Sequence, residues 1–134
     1  MKILIVEDSY VARSLLHELL QQYGTVDVTS NGQDAIEQLK NGWREQQPYD
    51  LLFLDIMMPQ INGHQVLNYL RREEKKQAQQ VSRVVMTSAL NDSKNVLECF
   101  REGADCYLTK PIKPSKVKQI LEDLGIFQET STCR

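Results

Sequence analysis

An open, doubly wound α/β sheet, with five mostly parallel strands alternating with five helices, is the fold class this sequence predicts. Three observations carry that reading. Short, almost uninterrupted runs of aliphatic residues recur along the chain, as strands buried on both faces require. Between them apolar residues return every three or four positions, the period of an amphipathic helix. Glycine, proline and Asn-Gly pairs punctuate the joints.

The elements follow in order. KILIV at 2–6 is the first strand, stopped by Glu7 and Asp8. Ser9 can cap the helix marked by Val11, Leu15, Leu16, Leu19 and Leu20, with Gly24 just beyond its end. Val26, Asp27 and Val28 make a weak second strand, and Asn31-Gly32 turns the chain. Ala35, Ile36 and Leu39 mark a short helix closed near Asn41-Gly42. LLFL at 51–54 is a strongly buried strand that stops at Asp55, and a loop with Pro59 and Gly63 leads to a helix opened by Val66, Leu67 and Leu70. That helix is expected to run out into a solvated segment at 71–80. Val84, Val85 and Met86 form the fourth strand, ended by Thr87 and Ser88. Val96, Leu97 and Phe100 mark a helix stopped by Gly103; Cys106, Tyr107 and Leu108 form the last strand; Val117, Ile120, Leu121 and Leu124 mark the last helix. Residues 1–124 make one domain, and 125–134 read as a tail or the start of a linker.

Composition narrows the function. The formal charge is -2, from 16 Lys+Arg against 18 Asp+Glu, which argues against direct binding to nucleic acid or anionic lipid. No apolar run reaches the roughly 18 residues of a membrane span, and the early acidic pair interrupts any signal-peptide core, so a cytoplasmic location is expected. Cys99, Cys106 and Cys133 are an odd set without CxxC spacing and read as core, surface and tail thiols. Four clustered ligands for structural zinc are missing from the sequence pattern, and His17 and His64 read as surface or packing residues.

In such a sheet the reactive crevice lies at the carboxyl ends of the strands. There stand Glu7 and Asp8, Asp55, Thr87 and Ser88, and Lys110. A carboxylate after a strand is often only a helix cap, but four strand ends converging on polar groups call for another reason. Three carboxylates at one edge repel and need a cation, and hard oxygen ligands without His or Cys suit Mg²⁺. Lys110 and the Ser88 hydroxyl would add a charge and a donor for a phosphoryl group, with Asp55, on the central strand, as nucleophile.

These residues resemble the receiver (CheY-like) domain of two-component response regulators. The resemblance is carried by KILIVEDS at 2–9, LLFLDIMMPQINGHQVL at 51–67, VVMTSA at 84–89 and GADCYLTKPI at 103–112, and covers residues 1–124. It implies a flavodoxin-like (CheY-like) fold and a signalling switch rather than a turnover enzyme. In that family the acidic pair, here Glu7 and Asp8, holds Mg²⁺ with Asp55 and a backbone carbonyl, here that of Met57. Asp55 accepts a phosphoryl group from a histidine kinase or histidine phosphotransfer protein, and Lys110 contacts it. Ser88 takes the part of the switch hydroxyl, because Ala89 follows it and the interval to Lys110 fits without a gap; Thr87 would point to the other face. Tyr107 takes the part of the switch aromatic, and Lys110-Pro111 that of the family's cis peptide.

The output surface implied is that of the fourth helix, fifth strand and fifth helix, at 93–124, exposing Lys94, Glu98, Arg101, Lys113, Lys116 and Lys118 to an output partner or to a second copy in a homodimer. Segments 42–50 and 73–82 look like polar surface insertions, and Met57 and Leu90 are expected to shield the acyl phosphate from water.

Competing readings fit less well. A haloacid-dehalogenase-type phosphatase wants a second Asp where Met57 stands, and flavodoxin wants a Ser/Thr/Gly-rich loop where Glu7-Asp8-Ser9 stands. A receiver-like interaction module independent of phosphorylation is the remaining alternative.

Overall fold

The computed structural model describes residues 1–77, 81–89 and 93–127. The elements alternate as the sequence predicts: β1 (Lys2–Val6), α1 (Tyr10–Leu20), β2 (Thr25–Thr29), α2 (Gly32–Arg44), β3 (Leu51–Asp55), α3 (Gly63–Gln77), β4 (Arg83–Ser88), α4 (Ser93–Arg101), β5 (Cys106–Thr109) and α5 (Pro114–Asp123). All pairings are parallel, in the order β2-β1-β3-β4-β5. The order reverses between β1 and β3, so the crevice of a doubly wound sheet opens at the ends of those two strands.

Alternation along the strands divides the core. Leu4, Val6, Leu52, Leu54, Val84 and Met86 face α2, α3 and α4. Ile3, Ile5, Leu51, Phe53, Val85 and Leu108 face α1 and α5. Each such side chain withdrawn from water contributes about 2 kcal/mol before the entropy of ordering it. Because both faces are covered, the central strands β1, β3 and β4 lack polar positions between their first residues and their carboxyl ends.

Ser9 caps α1 as the sequence predicts, and Asn31, read there as a turn residue, caps α2. Ser9 accepts from the Ala12 amide at the start of α1, and Asn31 from the Asp34 amide at the start of α2. Gly125, at φ 76, closes α5; its amide donates to the Glu122 carbonyl and that of Ile126 to Leu121, folding Ile126 onto the core. Gly63 admits a close approach, since a Cβ there would collide with the Asp55 carbonyl and with Ile56 Cα.

Four expectations are corrected. Segment 42–50 is not a simple surface insertion: α2 runs through Gly42 to Arg44 and buries Trp43, whose ring lies 6.1 Å from that of Tyr69. Nor is 71–77 a solvated run-out, because α3 continues to Gln77 and buries Glu74. Arg71 donates to the carbonyls of Gly103 and Ser82 and to Glu74, fixing α3 to the start of β4 and the end of α4. Val11 is exposed on α1, where Leu16 and Leu20 carry the buried face. On α4 the buried row is Val96 and Cys99, while Leu97 and Phe100, one row round the helix, face outward. A helix resting on a sheet buries one stripe, and apolar content alone does not say which.

Candidate functional site: the carboxyl ends of β1, β3, β4 and β5

Glu7 follows β1 and is fully buried. Its Oε2 accepts from the Ser9 amide at 3.1 Å and from Lys110 Nζ at 3.0 Å. Its Oε1 lies 3.5 Å from the Thr87 hydroxyl. Arg13 of α1 donates to the Glu7 carbonyl at 2.9 Å, fixing the backbone there. Asp8, next along, is exposed at the rim. Asp55 ends β3 with a buried side chain; its Oδ1 accepts from the Met57 amide at 3.2 Å. Oδ2 has Lys110 Nζ at 3.2 Å as ion partner, yet is the single buried side-chain polar atom among the described residues without a hydrogen bond.

A buried carboxylate oxygen left without a hydrogen bond is costly and signals a missing partner. Glu7, Asp8 and Asp55 can each bring a carboxylate oxygen within 4.8 Å of the others. Burial, and next the charge of Glu7, push the Asp55 carboxyl up to about 8, against the opposing pull of Lys110. Burial would lower Lys110, but its bond to Glu7 and the charge of Asp55 outweigh that and raise it. The cluster thus holds more negative charge than one lysine neutralises. An all-oxygen donor set with an unsatisfied oxygen fits a hard divalent cation.

The remaining expected residues fall around this centre. Lys110-Pro111 is a cis peptide, and the Lys110 amide donates to the Ser88 carbonyl at 2.7 Å. Ser88 is buried at the end of β4. Thr87, passed over in the sequence, stands in register with Asp55 and touches Glu7, so the two hydroxyls divide between the two sides of β4. Tyr107 is 45 % exposed, its ring edge-on to Phe100 at 5.9 Å. Met57, 63 % exposed, meets Asp55 through its amide. Leu90 lies outside the described residues. Sequence reasoning missed the Thr87 contact, the Arg13 tether and the Met57 amide, none of which has a local sequence signal. Lys94, Glu98, Arg101, Lys113, Lys116 and Lys118 are all exposed, as expected.

Fold and site together define a doubly wound sheet with an acidic crevice at its carboxyl edge, and comparison with known proteins gives its family. The chain matches the response regulator receiver domain over residues 3–122 and belongs to that family. It is 34% identical over 125 residues to hybrid signal transduction histidine kinase L of Dictyostelium discoideum, covering 92% of this chain and 7% of that protein. It is 27% identical to the chemotaxis protein CheY of Thermotoga maritima, covering 92% of this chain and 97% of that one. Among solved structures, a putative response regulator from Chloroflexus aurantiacus superposes with a TM-score of 0.77 at 24% identity, over 92% of this chain and 97% of that one, which shows the shared fold. The match thus spans nearly all of one short relative and a small part of a long one. No helix among the described residues is long and apolar enough to cross a membrane.

Proposed function

We propose that this receiver domain accepts a phosphoryl group on Asp55 and passes the change to a partner through α4, β5 and α5. The observation that carries this is the buried Asp55 carboxylate, with one oxygen lacking a hydrogen bond, between Lys110 and the acidic pair. In the step, an Asp55 carboxylate oxygen bonds to phosphorus. The bond from phosphorus to the donor, a histidine nitrogen of a kinase or phosphotransfer protein or the oxygen of a small acyl phosphate, breaks with its electron pair staying on the donor. Water later attacks phosphorus and returns the carboxylate. The domain turns over no separate substrate.

Glu7, Asp8, Asp55 and the Met57 carbonyl would hold Mg²⁺, which when bound neutralises charge on the phosphoryl oxygens. Lys110 places a second positive charge beside Asp55. The Met57 side chain, with Leu90, would shield the acyl phosphate. Ser88 then donates to the new acceptor oxygens, and Tyr107 leaves its exposed position to fill the space vacated. Moving a population from mostly inactive to mostly active takes roughly 3 to 5 kcal/mol, which a charge-assisted hydrogen bond and one aromatic repacking can supply. The domain takes in Ile126, packed on its core, the residues beyond are read as a tail or the start of a linker, and the cytoplasm is the compartment where such donors act.

The test is intact mass after incubation with acetyl phosphate and Mg²⁺. A gain of about 80 Da, one phosphoryl group, is expected for the wild type and not for Asp55→Ala or without Mg²⁺. If neither acetyl phosphate nor a panel of histidine kinases gives that gain, the domain acts independently of phosphorylation.

A further inference from the structure

A second group of ligating side chains lies on the other side of the sheet, between α3 and α4. His64 opens α3, Cys99 lies on the inner face of α4, and Glu102 follows its end. Their ligating atoms can all lie within 4.8 Å of one another. His64 Nδ1 is 2.8 Å from Glu102 Oε1 and 3.5 Å from Cys99 Sγ. Cys99 is 1% exposed, whereas the His64 and Glu102 side chains are 16% and 22% exposed. The cluster is floored by the core and open to solvent above. Asn68 reaches the second Glu102 oxygen at 3.5 Å.

We propose that His64, Cys99 and Glu102 bind a borderline-soft divalent cation of the chemistry of Zn²⁺, joining the first turn of α3 to the end of α4. The donor set carries the argument. A His–Glu contact would tie the helices without sulfur, yet the thiol lies 3.5 and 3.8 Å from the two nitrogens of the same ring. One nitrogen, one sulfur and one oxygen make a three-ligand site with room for water, and a thiolate selects Zn²⁺ over Mg²⁺ or Ca²⁺. A tetrahedral Zn²⁺ with standard bond lengths separates sulfur from nitrogen by about 3.5 Å and nitrogen from oxygen by about 3.4 Å. The sulfur lies 3.5 Å from Nδ1 but also 3.8 Å from Nε2, beside the ring rather than ahead of Nδ1, so the His64 ring must turn toward a cation while Glu102 withdraws by about half an ångström on the solvent-facing side. Cys99 and Glu102 are three positions apart, so one helix face presents both. On binding, the Cys99 thiol proton leaves to solvent and His64 coordinates as the neutral ring. The site adjoins the crevice, since the Gly63 amide donates to the Ile56 carbonyl at 2.9 Å. A cation here would therefore bias where α4 sits relative to the end of β3. His64 stands 35 and 38 residues from Cys99 and Glu102, too far for a motif spacing, which is why the sequence shows only packing residues.

The test uses the full chain carrying Cys106→Ser and Cys133→Ser, so that Cys99 is its one thiol, in excess Mg²⁺ to saturate the carboxylate cluster. Titration with Co²⁺ should give a thiolate-to-metal charge-transfer absorption that saturates at one equivalent and is displaced by Zn²⁺. His64→Gln and Glu102→Gln, both at partly exposed positions, should each weaken binding at least about tenfold, and Cys99→Ser should remove the band. No charge-transfer band, or a band of unchanged affinity in His64→Gln, would overturn the proposal.

Discussion

The strand-end crevice and the α3–α4 seam both gather ligating groups, but they differ in what those groups do when alone. In the crevice the charges are in excess: Asp55 Oδ2 lacks a hydrogen bond and Glu7 shares its lysine. In the seam the groups satisfy one another, with His64 on Glu102 and Cys99 against the same ring. An unsatisfied acidic cluster stores electrostatic repulsion that a suitable cation releases. A satisfied cluster must first open its own hydrogen bond, which costs about 1 kcal/mol of affinity. The crevice therefore favours taking up a cation, whereas the seam already ties α3 to the end of α4 through its own contacts.

The largest contrast is expected from Lys110→Ala. Removing the lysine that touches both buried carboxylates should slow phosphorylation of Asp55 by about 100-fold, followed by intact mass against time, because a fixed charge facing the reacting group is lost. The Co²⁺ spectrum of the seam should not change.

pH sharpens the comparison next. Asp55 keeps its proton up to about 8 in the metal-free fold, far above its usual value. The folded state binds the proton more tightly than the unfolded one, so this group's stabilisation is complete below the usual carboxylate range and is lost as pH rises through 8. Without Mg²⁺, the wild type should lose more thermal stability than Asp55→Asn between pH 5 and pH 9. With Mg²⁺ the gap should close. Equal pH profiles for the two proteins would show that the crevice carries no stored repulsion.

The two hydroxyls of β4 should separate as well. Ser88→Ala should still gain the phosphoryl group, yet lose the change in amide hydrogen exchange over β5 and α4 that phosphorylation brings. Thr87→Ala, which removes a contact to Glu7, should alter Mg²⁺ affinity, read by titration, more than that exchange response. The smallest effect belongs to the seam without metal: His64→Gln should lower stability by about 0.5–1 kcal/mol in denaturant unfolding, as for a partly exposed hydrogen bond.

How much of this was legible follows from residue separation. Strand runs at 2–6, 51–54 and 84–86 were plain because both faces of a parallel sheet exclude polar side chains, and the carboxylates that end them were plain for the same reason. The extent of α2 and α3 was not. Residues at 42–44 and 73–77 look solvated until Trp43 finds Tyr69, and until Glu74 meets the Ser82 amide and an Arg71 that is itself held by the Gly103 carbonyl. The Leu97 and Phe100 row of α4 was misjudged because hydrophobicity was there without the burial.

The sequence by itself determined the alternation of buried strands and helices, and hence the convergence of Glu7, Asp8, Asp55, Ser88 and Lys110 at one sheet edge, because burial and turn chemistry act over a few residues. Tertiary structure alone decided that Thr87 leans on Glu7, that Asp55 keeps an oxygen without a hydrogen bond, and that His64, Cys99 and Glu102 meet. Those outcomes depend on strand register and helix rotation, set by packing over the whole core, and no local pattern in the chain encodes them.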